Sequence, residues 1–468
     1  MESKMKKVAL LLLSALLLCS CANKSLTRYE TLAPVLKKEG FEGTVKKIEE
    51  TKDDVYGDNS QFLYHFDQGT LLHYGGKNKE SVKHFEKAEQ VYEDLYTKSV
   101  SNEAAAIVTN DNVRPYRARP FELLLMYQYQ ILNYLALGDL DGALVEVRRA
   151  QLAMERLYQK DKDKVNDSGW LRYLSAIVYE MAGEEDDAAI SYVKAAKAFE
   201  EGGKTPPEVL EFITESLIRM DRADELKSLK GGVPAQTAKA SDVRSKGQEI
   251  ILIGYAGHSP ILGEMYLSGT FVSGGALNLT YKDGKTGKIN TFTLVAPTVP
   301  GGSGNTFHIG FALPERKDLP QRTKSFGVNV DGKLRVSPEK VVGVDSELDR
   351  NMKDENATTM IRTATRVVIR TIAAQKAKQA TNTGNGIIDL IKNIFVDVGQ
   401  SQLEQADLRV GLFMPNSIYV TRIPVDAGKH ELTVTALGSA GQRVGEYRLD
   451  KLSVARGQKK IVIIPAIE

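Results

Sequence analysis

One pattern occurs three times between residues 76 and 195, and it limits the fold more than any other feature of this 468-residue chain. In each copy a small residue lies five positions after a Gly, a large residue nine positions after it, and Ala twelve positions after it. The copies are Gly76, Ser81, Phe85, Ala88; Gly138, Ala143, Val147, Ala150; and Gly183, Ala188, Tyr192, Ala195. These offsets lie on one face of an α-helix, and Gly permits the turn that would precede it. The pattern therefore predicts three hairpins of closely packed helices.

The clearest copy, residues 135–143, resembles the tetratricopeptide repeat (TPR). The copies are 62 and 45 residues apart, whereas the usual spacing is about 34. We therefore expect an insertion at 96–121. Residues 21–230 are predicted to form a TPR-like helical repeat domain.

The resemblance implies a concave groove formed by the first helix of each hairpin. Its side chains would be Phe66, His73, Tyr74, Leu125, Gln128, Leu132, Trp170 and Tyr173. Aromatic side chains provide a large contact area for a protein partner at low cost in rotamer freedom. The predicted partner-binding residues, called the six groove residues below, are Phe66, His73, Tyr74, Gln128, Trp170 and Tyr173. Trp170, the single Trp of the chain, is also compatible with a position in the core.

The N-terminus has the pattern of a targeting signal. Three Lys precede an apolar run at 8–18, which is too short to span a bilayer of about 30 Å. Residues 18–21, Leu-Cys-Ser-Cys, resemble the bacterial lipobox, which implies a signal peptide at 1–20 and lipid on Cys21. The alternative is an ordinary secretory signal. Ala22 does not match the Asp of an inner-membrane retention signal, so we expect an outer-membrane anchor facing the periplasm.

The composition changes after residue 230. Residues 231–247 are rich in Gly, Ala, Ser and Lys and are predicted to be a linker. Residues 248–468 are predicted to form an antiparallel β-sandwich-like domain with a helical hairpin inserted at about 346–404. The predicted strands are 249–255, 264–271, 276–282, 289–296, 306–312, 326–336, 408–414, 417–424, 430–437, 442–448 and 459–464.

The predicted fold class is thus α+β and multidomain. Within the insertion, the apolar side of a second helix at 387–398 is compatible with a membrane surface. Its polar side is not basic, so docking against the sheet is the preferred interpretation.

No catalytic, metal or cofactor site is expected. The six His share no zinc-binding spacing such as His-Glu-x-x-His. Ser191 and Lys194 have the spacing of a penicillin-recognising serine enzyme, but they fall within a predicted repeat helix. The second motif of such enzymes, matched at 241–243, lacks its Asn and lies in the predicted linker. Without residues 1–20 the chain has 59 basic and 59 acidic residues, a balance that argues against nucleic-acid binding.

The lipobox, together with segments 143–150, 257–260, 406–409 and 426–432, is similar to an uncharacterised family of bacterial repeat-bearing envelope lipoproteins. The resemblance implies no established activity. The sequence therefore favours a membrane-anchored, non-enzymatic scaffold that binds a protein partner in the cell envelope. The alternative is an accessory lipoprotein whose β domain binds a glycan or lipid or assists export.

Overall fold

The computed structural model describes residues 24–99, 114–160, 168–229, 247–272, 275–282, 287–295, 306–381 and 406–467. Several predictions concern residues outside these ranges. They are the signal peptide at 1–20 with lipid on Cys21, residues 100–113 of the insertion at 96–121, the helix at 387–398, and the linker at 231–247 apart from Gly247. Within the ranges the chain is a mixed α and β protein, and most helices precede the strands.

The helices of the N-terminal half follow one another with short connections. They are α1 (Lys24–Glu50), α2 (Lys52–Val55), α3 (Gln61–Tyr74), α4 (Asn78–Ser99), α5 (Pro120–Ala136), α6 (Leu140–Lys160), α7 (Gly169–Ala182), α8 (Glu185–Glu201), α9 (Pro207–Arg219) and α10 (Ala223–Ser228). Gly40, with φ of 69°, marks a kink within α1. One further long helix, α11 (Val344–Thr381), lies among the strands.

The predicted helical hairpins are confirmed at their turns and in their packing. α3 packs on α4, α5 on α6 and α7 on α8. Gly76, Gly138 and Gly183 lie in the connecting turns with φ of 70°, 75° and 75°, a region that favours Gly. The small, large and Ala positions of all three copies are completely buried.

The strands form three four-stranded sheets. They are β1 (Glu249–His258), β2 (Ile261–Val272), β3 (Ala276–Lys282), β4 (Ile289–Val295), β5 (Thr306–Lys317), β6 (Ser325–Val330), β7 (Leu334–Val336), β8 (Glu339–Gly343), β9 (Pro415–Pro424), β10 (Gly428–Leu437), β11 (Arg443–Val454) and β12 (Lys459–Ala466). The central sheet has the order β12-β1-β9-β8, the outer sheet β11-β10-β6-β7 and the lateral sheet β4-β3-β2-β5. Pairing is antiparallel except between β1 and β12, which are parallel.

The central sheet lies between the helices and the outer sheet, which explains the sequence of β1. Every side chain of β1 is buried, as its nearly continuous apolar run requires when both faces are covered. Ile251, Ile253 and Tyr255 belong to the same apolar cluster as the repeat helices. Ile250 and Leu252 face the outer sheet in a second cluster. The lateral sheet packs on α11 in a third cluster.

The apolar cluster that contains the repeat helices extends from Leu32 to Ile467. It therefore joins the two regions on either side of the predicted linker. No helix in the described part of the chain is long and apolar enough to cross a membrane.

Three details of the predicted β region are corrected. Residues 408–414 do not form a strand, although Leu408, Val410 and Leu412 are apolar at every second position. The predicted strand at 326–336 is divided into β6 and β7, and β8 was not predicted. Helix was correctly expected from Ser346, and α11 begins two residues earlier.

Candidate functional site

The structure corrects the exposure predicted for the six groove residues. They lie on the first helices of the hairpins, α3, α5 and α7, as the repeat pattern indicates. None is more than 6% exposed, and Trp170 is 2% exposed, so all six belong to the interior. Leu125 and Leu132 are buried too. β1 and residues 406–414 of the same chain cover the side of these helices that carries the groove residues, and we call this covered side the filled groove.

A chain of hydrogen bonds crosses this filled groove. Trp170 Nε1 donates to Gln128 Oε1 (2.8 Å), and Gln128 Nε2 donates to the Tyr255 hydroxyl of β1 (3.0 Å). That hydroxyl lies 3.3 Å from His73 Nε2, and His73 Nδ1 lies 2.7 Å from Asn133 Oδ1. Because Asn133 Oδ1 can only accept a hydrogen bond, these partners assign the proton of His73 to Nδ1. His73 Nε2 then accepts a hydrogen bond from the Tyr255 hydroxyl.

The surroundings keep His73 neutral. Burial lowers the pKa of this imidazole to about 4, although its hydrogen bond to Asn133 acts in the opposite direction. Asn133 Nδ2 continues the chain by donating to Ser81 Oγ (2.8 Å). The repeat helices and β1 are thus connected by polar groups that have partners despite their burial.

Two other groove residues contact the irregular segment 406–414. The Tyr74 hydroxyl lies 3.0 Å from both the Tyr129 hydroxyl and the Phe413 carbonyl oxygen. The Phe66 ring lies so close to Gly411 that a Cβ there would be 2.7 Å from a ring carbon. Gly411 is therefore required by the close approach of backbone and ring.

Buried charged side chains from the helices bind the backbone of residues 406–414. The Gly411 N–H donates to Glu122 Oε1 (2.9 Å), and the Leu412 N–H donates to Asp67 Oδ1 (2.9 Å). Arg28 Nη2 donates to the Val410 carbonyl (3.1 Å). Burial raises the pKa of both carboxyl groups, that of Asp67 to about 6. The backbone N–H and C=O groups of this segment thus bind side chains instead of a neighbouring strand.

Next to the filled groove, a cleft of about 710 Å³ separates the helices from β12. We call it the strand–helix cleft. On one side, α3, α5, α7 and α9 contribute residues at or near their C-terminal ends. On the other side lie β12 and the turn before it. Its size falls within the range of about 300–1,000 Å³ that is typical of ligand sites.

The lining of the strand–helix cleft combines apolar side chains with charged ones, three of which, Glu180, Arg219 and Lys459, meet at what we call its charged end. Its apolar residues include Leu132, Leu135, Ala136, Leu140, Met181 and Met220 from the helical side and Ile461, Ile463 and Pro465 from β12. Its charged residues are Glu180, Glu185, Arg219, Lys459 and Lys460. Two of the groove residues, His73 and Tyr74, also border it.

An ion cluster closes the charged end. Arg422 Nε donates to Glu249 Oε2 (2.8 Å), and Lys459 Nζ contacts Glu180 (3.2 Å) and Glu249 (3.1 Å). Arg219 and Arg422 also contact Glu180. Burial opposes ionisation of Glu180, but Arg422, Lys459 and Arg219 lower the pKa of its carboxyl below the ordinary value. Among these five side chains, three are cations and two are carboxylates.

A smaller cavity of about 270 Å³ lies at the other end of the helices. Gln128 and Trp170 border it, together with β8 and the first turns of α11. The described residues contain no group of three or more His, Cys, Asp or Glu side chains that could hold a metal ion.

A scan against protein-family models finds no match to this chain, and a search of curated proteins finds none either.

Sequence reasoning did not identify the strand–helix cleft. The available signal was the alternation of Ile461 and Ile463 in a strand that begins with two Lys. That signal does not reveal that β12 is an edge strand, which depends on pairing with a strand more than 200 residues earlier.

Proposed function

We propose that this protein is a non-enzymatic scaffold of the bacterial cell envelope that binds a protein partner in the strand–helix cleft. The cleft is the observation that carries the proposal. It combines an apolar interior with a charged end, as protein-binding sites commonly do. The six groove residues then act indirectly, because they hold β1 and the helices that form the cleft walls.

The proposal includes the TPR-like and sandwich-like character of the two regions. The helical hairpins with their turn glycines support the first. The apolar cluster shared by the central and outer sheets supports the second.

The proposed anchor is lipid on Cys21, in the outer membrane and facing the periplasm. The basic n-region, the apolar run and the Cys of the lipobox-like sequence support it. Acyl chains contribute about 0.8 kcal/mol per buried methylene, so two or more of them hold a protein stably on a bilayer.

Labelling of the lipid tests the anchor. Cells that produce the chain are fed labelled palmitate, and we expect label on the wild type and on Cys19→Ser but none on Cys21→Ser. The two variants differ only in whether the thiol of Cys19 or that of Cys21 is removed. Equal labelling of both variants would contradict the assignment.

The alternative ligand is a glycan or lipid bound by the β region. One specific observation favours it: Tyr281 and Phe292 of the lateral sheet are stacked with ring centroids 5.4 Å apart, and Phe292 is 38% exposed. Two stacked rings offer less surface for a ligand than the strand–helix cleft does, so a protein partner in the cleft is the first choice.

Photo-crosslinking in intact cells tests the proposed site. A benzoyl-phenylalanine placed at Leu135 or Met181, in the cleft, should capture one defined protein. Leu152 is the matched control, because it is a 56% exposed apolar residue of α6 and does not line the cleft. Capture at Leu152 equal to capture in the cleft would contradict the proposal. Capture of glycan or lipid at Phe292 alone would favour the alternative.

A further inference from the structure

β12 is an edge strand of the central sheet, and its residues Ile461, Ile463 and Pro465 line the strand–helix cleft. The Glu249 N–H donates to the Gln458 carbonyl (3.0 Å). This hydrogen bond shows which residues near β12 direct their backbone groups toward β1. Since successive residues of a strand direct their backbone groups to opposite sides, even-numbered residues of β12 bond to β1. Ile461 and Ile463 therefore direct N–H and C=O groups away from β1.

These backbone groups have no hydrogen-bond partner among the described residues. Both Ile residues line the cleft, so these groups lie at its wall. Free edges attract further strands, and proteins commonly protect them with Lys or Pro. Here Lys459, Lys460 and Pro465 occupy only the ends of β12 and leave its middle open.

The walls indicate which peptide fits. An added strand lies about 4.8 Å from its neighbour, and alternate side chains point to the same face. One face of such a strand would meet the ends of the helices, where Leu135, Ala136 and Met181 present apolar surface. Apolar side chains at every second position match this wall.

The charged end indicates where an acidic group fits. Arg219 is 30% exposed although it contacts Glu180, and Lys460 forms no ion pair with any described residue. The lining and the ion cluster together hold four cations, Arg219, Arg422, Lys459 and Lys460. They face three carboxylates, Glu180, Glu185 and Glu249, and the excess of one positive charge favours a carboxylate of the partner.

We infer that the partner binds through an extended segment that adds to β12 as a further strand of the central sheet. The segment carries apolar side chains at alternate positions and a carboxylate at the end near Arg219 and Lys460. This inference rests on the proposed function, because it assigns the cleft to a protein partner and specifies how that partner is recognised.

The test uses linear peptides as the probe. A phage-displayed peptide library is selected on the purified full chain, and enriched peptides are measured by fluorescence anisotropy. Ile463→Pro removes one free N–H, and proline is tolerated on the open side of an edge strand. We expect affinity to fall about tenfold or more in Ile463→Pro and to change little in Ile463→Val, which keeps the N–H.

N-methylated peptides provide a second measurement on the unaltered protein, so the test does not depend on the folding of a variant. Methyl groups on alternate backbone nitrogens in one register should abolish binding, whereas methylation in the other register should preserve it. Equal effects in both registers would overturn strand addition. Affinity for Ile463→Pro equal to that of wild type would do so as well.

Two further outcomes separate the inference from the proposed function. If Leu135 crosslinks a partner whose capture is unaffected by Ile463→Pro, strand addition is wrong and the proposed site stands. If no cleft position crosslinks a protein, both are wrong. A wild-type dimer in sedimentation that Ile463→Pro dissociates would make a second copy of the chain the occupant and overturn the inferred partner.

Discussion

At the scale of single residues, the hydroxyl of Tyr255 shows how the strands are attached to the helices. It contacts Gln128 of α5 and His73 of α3, so one strand residue serves two helical hairpins. Both contacts are buried. A polar group that loses its partner in such surroundings remains unsolvated.

Tyr255→Phe should therefore destabilise the protein by about 1–3 kcal/mol. The change removes only the hydroxyl, so Gln128 Nε2 and His73 Nε2 each lose a hydrogen-bond partner. Urea unfolding measures the effect, and the midpoint should fall while the slope is unchanged. A midpoint equal to that of wild type would show that the hydrogen-bonded chain contributes nothing to stability.

Asp67 makes stability depend on pH. Burial raises the pKa of its carboxyl to about 6 from the ordinary 3.8. The folded state thus holds the proton more tightly than the unfolded state, and the stabilisation present below pH 4 is lost as the pH rises through 6. Asp67→Asn removes this titration.

The unfolding free energy of wild type minus that of Asp67→Asn should decrease by about 2–3 kcal/mol between pH 4 and pH 7. The difference is used because His65, His73 and His84, whose pKa values are lowered to about 4, change stability in the opposite direction. A difference that stays constant or increases with pH would contradict the assignment.

At the scale of elements, the segment 406–414 shows where local pattern fails. Leu408, Val410 and Leu412 alternate with other residues as in a strand, and all three are buried. Glu122 and Asp67 bind the N–H groups of Gly411 and Leu412 that a neighbouring strand would otherwise bind. A single sequence does not reveal that carboxylates almost 300 or more positions earlier are available for this purpose.

Glu122→Ala should release this segment selectively. The side chain also accepts hydrogen bonds from the Arg119 N–H (2.8 Å) and the Tyr116 hydroxyl (2.7 Å), so the variant leaves several buried donors unpaired. We expect a loss of about 3 kcal/mol or more and faster hydrogen exchange in residues 406–414. The β10–β11 hairpin, which Glu122 does not contact, is the internal control. Unchanged exchange in 406–414 would show that Glu122 does not hold the segment.

The helical hairpins are the elements that the sequence predicts best. Gly138, Ala143 and Ala150 specify a turn and a close helix contact within thirteen residues, and both depend on local geometry. Strands such as β1 and β9 were also predictable from local sequence, because an apolar run forms each strand and turns mark its ends. Their pairing was not predictable, because β1 lies between strands that follow it by more than 150 residues.

At the scale of the whole molecule, the helices and the central sheet share one apolar cluster, so the predicted linker does not separate two cores. The resemblance and the residue types placed the six groove residues correctly on the first helices of the hairpins, α3, α5 and α7, whose inner face they occupy. They did not show that this face is covered, because aromatic side chains suit a binding surface and an interior equally well. Because that face is buried, we propose the strand–helix cleft as the site for a partner.

The fluorescence of Trp170 tests most directly whether the chain fills its own groove. Trp170 is the single Trp of the protein, and its indole is 2% exposed and hydrogen-bonded to Gln128. In the native full chain, acrylamide should hardly quench it, whereas residues 24–229 expressed alone should show strong quenching. Quenching in the full chain as strong as in urea-unfolded protein would mean that the groove is open, and would contradict the account.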